Sequence, residues 1–293
     1  MGGSRWWLIG EGIFYMNALG FSIEIAAISV LAGFLGALTG LGGGVVVVPV
    51  LCLLFKIDLH YAIGASLVSV IATSSGAAAM YVRDGLSNIR IGMFLEIATT
   101  LGALLGAYLV ARVSTSAIGV IFGCVLLYSA LASVHGSPAA PEPPHPDSLA
   151  ERLQFKGSYP VNGRQVDYAA ERIPLGFGIM FLAGTLSGLL GIGSGAVKVL
   201  AMDQAMKLPF KVSTTTSNFM IGVTAAASAG VYLSRGYVLP GLAMPVMLGV
   251  LAGSLAGSRV LVHAQVRTLR WVFAVVILAL GAEMIFSGVT GRL

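Results

Sequence analysis

Gly184-Thr-Leu-Ser-Gly-Leu-Leu-Gly-Ile-Gly-Ser-Gly-Ala-Val-Lys-Val-Leu-Ala-Met202 is an apolar segment interrupted by glycines and carrying a single lysine. Moving back 151 positions without a gap, from Gly191 to Gly40, gives Gly33-Phe-Leu-Gly-Ala-Leu-Thr-Gly-Leu-Gly-Gly-Gly-Val-Val-Val-Val-Pro-Val-Leu51. The same register sets Lys56 on Lys207, Ser66 on Ser217, Thr73 on Thr224, Tyr81 on Tyr232, Gly85 on Gly236, Gly102 on Gly253 and Gly106 on Gly257. A gap-free register over roughly a hundred residues marks an internal duplication. The repeats are predicted over 21–135 and 172–293, each opening on a broken helix.

Of the 293 residues, 57% are hydrophobic and 10% charged, too little polar surface to cover a soluble globule of this size. An integral membrane protein follows. Gly92–Val110, Ala117–Val134 and Trp271–Phe286 are each about long enough to cross roughly 30 Å of hydrocarbon as helices. Long, unalternating apolar runs favour helices over a barrel. The net charge of +5 comes from lysines and arginines scattered between apolar segments, which reads as a topology signal and not as a nucleic-acid surface. Cys52 and Cys124 have no Cys-x-x-Cys spacing and read as small hydrophobes. Trp6–Gly20 reads as an additional N-terminal helix, residues 1–20, either interfacial or membrane-crossing.

Each repeat divides into four pieces. The glycine-broken segments, about 21–55 and 173–206, are too long for one crossing and too short for two, so two half-length helices meeting at the glycines are expected. Three crossings follow, at about 61–82, 91–112 and 116–134, then 212–233, 241–262 and 268–287. If the broken segment is re-entrant, the crossings per repeat are odd in number and the repeats are inverted. Counting basic residues in the short loops fits inverted and parallel repeats alike. Inversion is preferred because it also places Arg152, Lys156, Arg164 and Arg172 on the basic side. The fold expected is therefore all-α and polytopic, with two inverted repeats of a re-entrant helix pair plus three transmembrane helices. Between the repeats, 136–171 is the hydrophilic block, a proline-rich linker followed by an alternating stretch around Asn162-Gly163 that predicts a short β-hairpin in a small cytoplasmic flap.

A helix that begins inside the membrane leaves its first N–H groups unpaired and carries partial positive charge there, and an anion answers both needs. Gly42, Gly43, Gly44, Gly193, Ser194 and Gly195 would let a ligand approach the backbone, and interrupted helices in paired repeats point to a transporter site near the midplane. Tight helix packing is the rival reading of such glycines and suits Gly102 and Gly106 well. Lys198 stands one turn into the second half-helix, and helical side chains lean toward the N-terminus, so its ammonium is expected to reach back to the break. A static partner, Glu24, Glu96 or Asp203, is the alternative. Ser66, Ser69 and Thr73 share one face of the next helix, as do Thr214, Ser217 and Thr224 in the second repeat, beside Asn218. Ser66, Thr214, Ser217 and Asn218 are candidate oxyanion donors, although such hydroxyls also bond their own backbone. Glu96, inside an apolar helix, is a candidate proton carrier.

Enzyme readings fare worse. Gly40-Leu-Gly-Gly-Gly44 lacks the strand and βαβ unit of a dinucleotide fingerprint. Ile192-Gly-Ser-Gly195 lacks the Gly-x-Ser-Gly spacing of intramembrane serine proteases, and His60, His135, His145 and His263 offer that serine no partner. No metal or other cofactor is expected.

The duplicated glycine motif, Gly64-Ala-Ser-Leu67, Thr216-Ser-Asn218 and the loop from Ser158 to Tyr168 together resemble the TauE/SafE family, the sulfite exporters, over nearly the whole chain. The resemblance implies a secondary transporter of sulfite or organosulfonates such as sulfoacetate, in the bacterial inner membrane. Ser194 in the middle of the second glycine run, and Leu200 where the first repeat has Pro49, depart from the family pattern. The reading from residues alone reaches a small-anion carrier, with the bilayer and the anion as partners, no nucleic acid, and homo-oligomerisation left open. A carboxylate or other oxyanion carrier and a non-transporting membrane scaffold are the alternatives.

Overall fold

A computed structural model describes residues 18–39, 44–83, 87–135, 148–161, 164–263 and 266–292. The expected N-terminal helix lies almost wholly outside them, as do Gly42, Gly43 and the proline-rich linker. In chain order the first repeat gives α1 (Ala18–Thr39), α2 (Gly44–Leu53), α3 (Leu59–Arg83), α4 (Ile89–Leu109) and α5 (Thr115–His135). A short α6 (Ser148–Arg152) and strands β1 (Lys156–Val161) and β2 (Arg164–Ala169) form the connector. The second repeat gives α7 (Ile173–Leu190), α8 (Gly195–Leu200) running into a π turn (Ala201–Ala205), then α9 (Phe210–Ser234), α10 (Pro240–His263) and α11 (Val266–Val289).

The outward face of α4 is apolar. On α4, Met93, Ile97, Leu101, Leu104 and Leu105 point outward while Ile91, Leu95, Ala98, Gly102 and Gly106 are buried. Apolar residues all round are what a helix needs when its outer surface meets lipid. Ile89–Leu109, Ile173–Leu190 and Pro240–Gly257 are long and apolar enough to cross a membrane, and further apolar helices accompany them.

The two limbs of each broken segment differ from the half-length helices expected. The first limbs, α1 and α7, have 22 and 18 residues, whereas α2 has 10 and α8 with its π turn has 6 and 5. In the second repeat the glycines do break the segment, and both first limbs are already helices of about 27–33 Å at 1.5 Å per residue.

Packing between the repeats is reciprocal. α1 lies on α10 and α7 lies on α4, while α3 meets α9 and α5 meets α11. Both of the first two seams are closed by glycine. A Cβ on Gly184 would stand 2.0 Å from the Thr99 carbonyl oxygen, one on Gly188 2.0 Å from that of Ala103, and one on Gly102 2.1 Å from that of Phe181. At the positions 151 earlier or later, Gly33 faces the Val250 carbonyl and Gly253 that of Val30, at 2.3 and 2.0 Å. Small residues let membrane helices approach to backbone contact, and the duplicated sequence does so twice in matching register.

The hairpin forms as the alternation predicts, with Tyr159 opposite Val166 and Lys156 opposite Ala169. Tyr159, Tyr168 and Phe155 are buried against Ile91, Leu95, Ile173, Met202 and Met206, so the connector is docked on the helix ends and on the π turn. Asn88 ties this corner together. Its side chain accepts from the Ile91 N–H at 3.1 Å, capping α4, and its amide nitrogen donates to the Tyr168 hydroxyl at 3.0 Å. Its backbone N–H donates to Thr216 Oγ1 at 3.0 Å. Such a cap contributes about 1 kcal/mol. Burial raises the Tyr168 phenol above its ordinary value, the Asn88 bond opposing, so the hydroxyl stays protonated.

Candidate functional site

The second break is held in a left-handed path. Gly191 and Gly193 have φ of 68° and 69°, and Ser194, a residue with a Cβ, has φ 45°. Left-handed backbone is routine for glycine and uncommon elsewhere, so the glycines at 191 and 193 carry the turn and Ser194 is held by its surroundings. Gly191 ends α7, its N–H bonded to the Ser187 carbonyl at 2.8 Å.

The start of α2 abuts the second break. A Cβ on Gly44, at the start of α2, would meet Ser66 Oγ at 2.7 Å and the Gly191 carbonyl oxygen at 3.1 Å. Ser66 Oγ donates to that carbonyl at 2.8 Å, and Ser217 Oγ to the Gly195 carbonyl at 3.3 Å. The two serines occupy the same place in the two repeats, and each fixes a residue of the second break. A small crevice opens here, lined by Val45, Ile192, Ser194, Gly195, Val197 and Ser129 among others. Ser194 is 3% exposed and its hydroxyl has no hydrogen-bond partner. A buried hydroxyl without a partner costs about 1–3 kcal/mol, so this one is either a liability or a ligand contact.

Lys198 is fully buried, one turn into α8. Its ammonium does not rest on the break. It donates to Thr224 Oγ1 at 2.5 Å, and Thr224 Oγ1 stands 2.7 Å from Glu96 Oε1 and 2.9 Å from the Met220 carbonyl. Thr100 Oγ1 adds a second donor to Glu96 Oε1 at 3.1 Å, while Glu96 Oε2 is buried with none. The cation and the carboxylate thus meet through one hydroxyl, in a row that crosses from α8 through α9 to α4.

Of the other residues anticipated, Glu24 is exposed on α1 and Asp203 half-buried in the π turn. Thr214 Oγ1 donates back to the Phe210 carbonyl at 2.9 Å, and Asn218 is half-buried. Ser69 and Thr73 also bond their own helix. The spacing of Ser217 and Thr224 at i and i+7 already put the latter on the buried face; Ser129 and Thr100 carried no such signal. Among the described residues no group of three or more His, Cys, Asp or Glu gathers to hold a metal.

The row draws on both repeats, Glu96 from the first and Lys198 and Thr224 from the second, and it occurs once. At the positions related by the 151-residue register stand Met247 for Glu96, Val47 for Lys198 and Thr73 for Thr224. The duplicated fold therefore packs these sites without charge, and the buried lysine and glutamate are additions to it.

The profile of the sulfite exporter TauE/SafE family matches residues 25–284. The chain belongs to the TauE/SafE family. Similar proteins include the probable membrane transporter protein YunE of Bacillus subtilis (strain 168), 26% identical over 274 residues, which cover 91% of this chain and 98% of the relative. YdhB of the same organism, also described as a probable membrane transporter protein, is 26% identical over 233 residues, 79% of this chain and 85% of its own length. A probable membrane transporter protein of Xylella fastidiosa (strain Temecula1 / ATCC 700964) is 24% identical over 259 residues, 87% and 92% of the two chains. No solved structure matches this TauE/SafE chain.

Proposed function

We propose that the chain is a non-enzymatic, multi-pass secondary carrier of the bacterial inner membrane that moves a small sulfur-containing oxyanion, sulfite or an organosulfonate such as sulfoacetate. One observation carries the reading: the start of α2 abuts the second helix break beside a buried lysine, around a buried serine hydroxyl that has no partner. The backbone N–H groups that open α2 and α8, Ser194 Oγ and the Lys198 ammonium are donors only, or available as donors, and an oxyanion is what such a set binds. Gly44 lets the start of α2 close on Ser66, Val70 and the Gly191 carbonyl, and Ser66 and Ser217 hold the frame. Sulfur enters through the family, whose description names sulfite. The transport role is supported by the likeness to YunE and YdhB, both described as probable membrane transporter proteins.

The repeats are inverted in this reading, and their reciprocal glycine seams give them one body to rock about the site, exposing it to each side in turn. Glu96 carries the coupling proton. The test is counterflow of labelled sulfite and sulfoacetate into liposomes containing only this protein. Exchange of both, with little of acetate, is expected. Equal exchange of acetate would widen the substrate to carboxylates, and no exchange of any anion would leave a scaffold.

A further inference from the structure

We infer that Thr224 is the positioning residue that makes ionised Glu96 and a bound anion alternative counter-ions of Lys198, so that each anion bound places one proton on Glu96. The inference rests on the anion site proposed above and assigns the device that couples it to a proton.

A threonine hydroxyl has one proton to give and can accept in return. In this structure Thr224 has two places to send it, Glu96 Oε1 at 2.7 Å and the Met220 carbonyl at 2.9 Å. With Glu96 ionised, Lys198 donates to Thr224, Thr224 donates to Glu96, and the two charges compensate one another along the row. An anion at Ser194 and Gly195, one turn back on the same helix, competes for that ammonium, which sits on a flexible four-carbon stem. Once it turns there, Glu96 is a buried carboxylate with only hydroxyls for company, a state relieved by taking a proton. The proton comes from water and goes to Glu96 Oε1, the carboxylate oxygen 2.7 Å from Thr224 Oγ1. The new O–H donates to Thr224, and Thr224 turns its own proton to Met220. No bond other than O–H changes hands.

The surroundings isolate this exchange. α7, packed along α4, has no ionisable residue between Ile173 and Leu190. On α9 the charged residues are at the ends: Lys211 is exposed, and Arg235 donates to the Ala107 and Tyr108 carbonyls at 2.7 and 3.2 Å. On α4 itself Arg90 is exposed and bonded to Gln154 of the connector. Asp203 of the π turn faces Lys207. Among the described residues, Lys198 is the ionisable group that faces Glu96, through Thr224. The duplicated counterpart of the row, Val47 and Thr73 of the first repeat with Met247 of the second, has the hydroxyl, bonded to its own backbone, without the charges, so packing alone does not call for the row.

The experiment is calorimetric titration of the purified full chain with sulfoacetate, in buffers of different ionisation enthalpy and over a pH range in which sulfoacetate stays fully ionised. Wild type is expected to take up close to one proton per anion. Glu96→Gln should bind without proton uptake and, at the alkaline end, about tenfold more tightly than wild type, a typical coupling magnitude. Thr224→Val, of equal shape, should bind with proton uptake well below one, and Thr224→Ser should restore it. Unchanged proton uptake in Thr224→Val, or wild-type binding with none, overturns the inference while leaving the site intact if the double variant Lys198→Met with Glu96→Gln still loses binding. Binding that survives in that double variant, or no sulfoacetate binding in any variant, overturns the site and the inference together.

Discussion

The double variant Lys198→Met with Glu96→Gln is expected to melt no lower than wild type and yet to lose sulfoacetate binding by at least about a hundredfold. Both halves of that result follow from burial. A buried ion pair is expensive to desolvate, and replacing both partners by neutral groups of similar volume is often neutral or stabilising. Val47 and Met247, the duplicated equivalents of Lys198 and Glu96, show that this fold tolerates apolar residues at both kinds of place. Removing Lys198 alone strands Glu96, a loss of about 3–5 kcal/mol, so the single variant confounds folding with binding. The hundredfold loss corresponds to about 3 kcal/mol for a hydrogen-bonded contact to a charge out of water. Thermal melting and calorimetry on the same preparation separate the two effects. A double variant that melts far lower would make the row a structural element, and one that binds as wild type would remove Lys198 from the site.

The second large effect is a contrast along one helix. Gly188→Ala puts a methyl group where the Ala103 carbonyl oxygen already lies 2.0 Å away, and backbone on both sides leaves no flexible atom to yield. α4 and α7 have to separate, which is expected to cost about 3 kcal/mol or more. Gly178→Ala on the same helix meets nothing within 4 Å and should stabilise by about 0.5–1 kcal/mol, because alanine loses less conformational freedom in a helix. Melting temperatures in detergent should therefore move in opposite directions. The seam matters beyond stability, since α4 carries Glu96 and α7 leads into the break. Equal melting of the two variants would mean that the seam does not hold the repeats together.

Much of the architecture was legible because duplication doubles the signal. The 151-residue register located both glycine breaks, and the turn chemistry of Asn162-Gly163 located the hairpin. The tight-packing reading of Gly102 and Gly106 is met on α7. What the pattern did not reveal is where each break falls along its segment: apolar residues on every side give no phase from which to measure a limb. The site was legible in its parts and not in its wiring. Lys198, Glu96 and Thr224 were each visible as polar residues in apolar helices, but they lie on three helices, and the direction a hydroxyl turns depends on what faces it. Thr214 and Thr73 return to their own backbone, whereas Thr224, with Glu96 and Lys198 opposite, is drawn into the row. Helical lean alone would send the Lys198 ammonium to the break, and the carboxylate on α4 redirects it.

The claim at the centre of this account is that an anion binds in the crevice where the start of α2 meets the second break, and protection of a thiol placed there tests it most directly. In a chain with Cys52 and Cys124 replaced by alanine, Ser194→Cys is treated with a small uncharged alkylating reagent, with and without sulfoacetate, beside a control cysteine at Gly230. Sulfoacetate is expected to slow labelling at position 194 several-fold and to leave the rate at 230 unchanged. Saturating sulfoacetate that leaves the Ser194→Cys rate unaltered would place the anion elsewhere and contradict it.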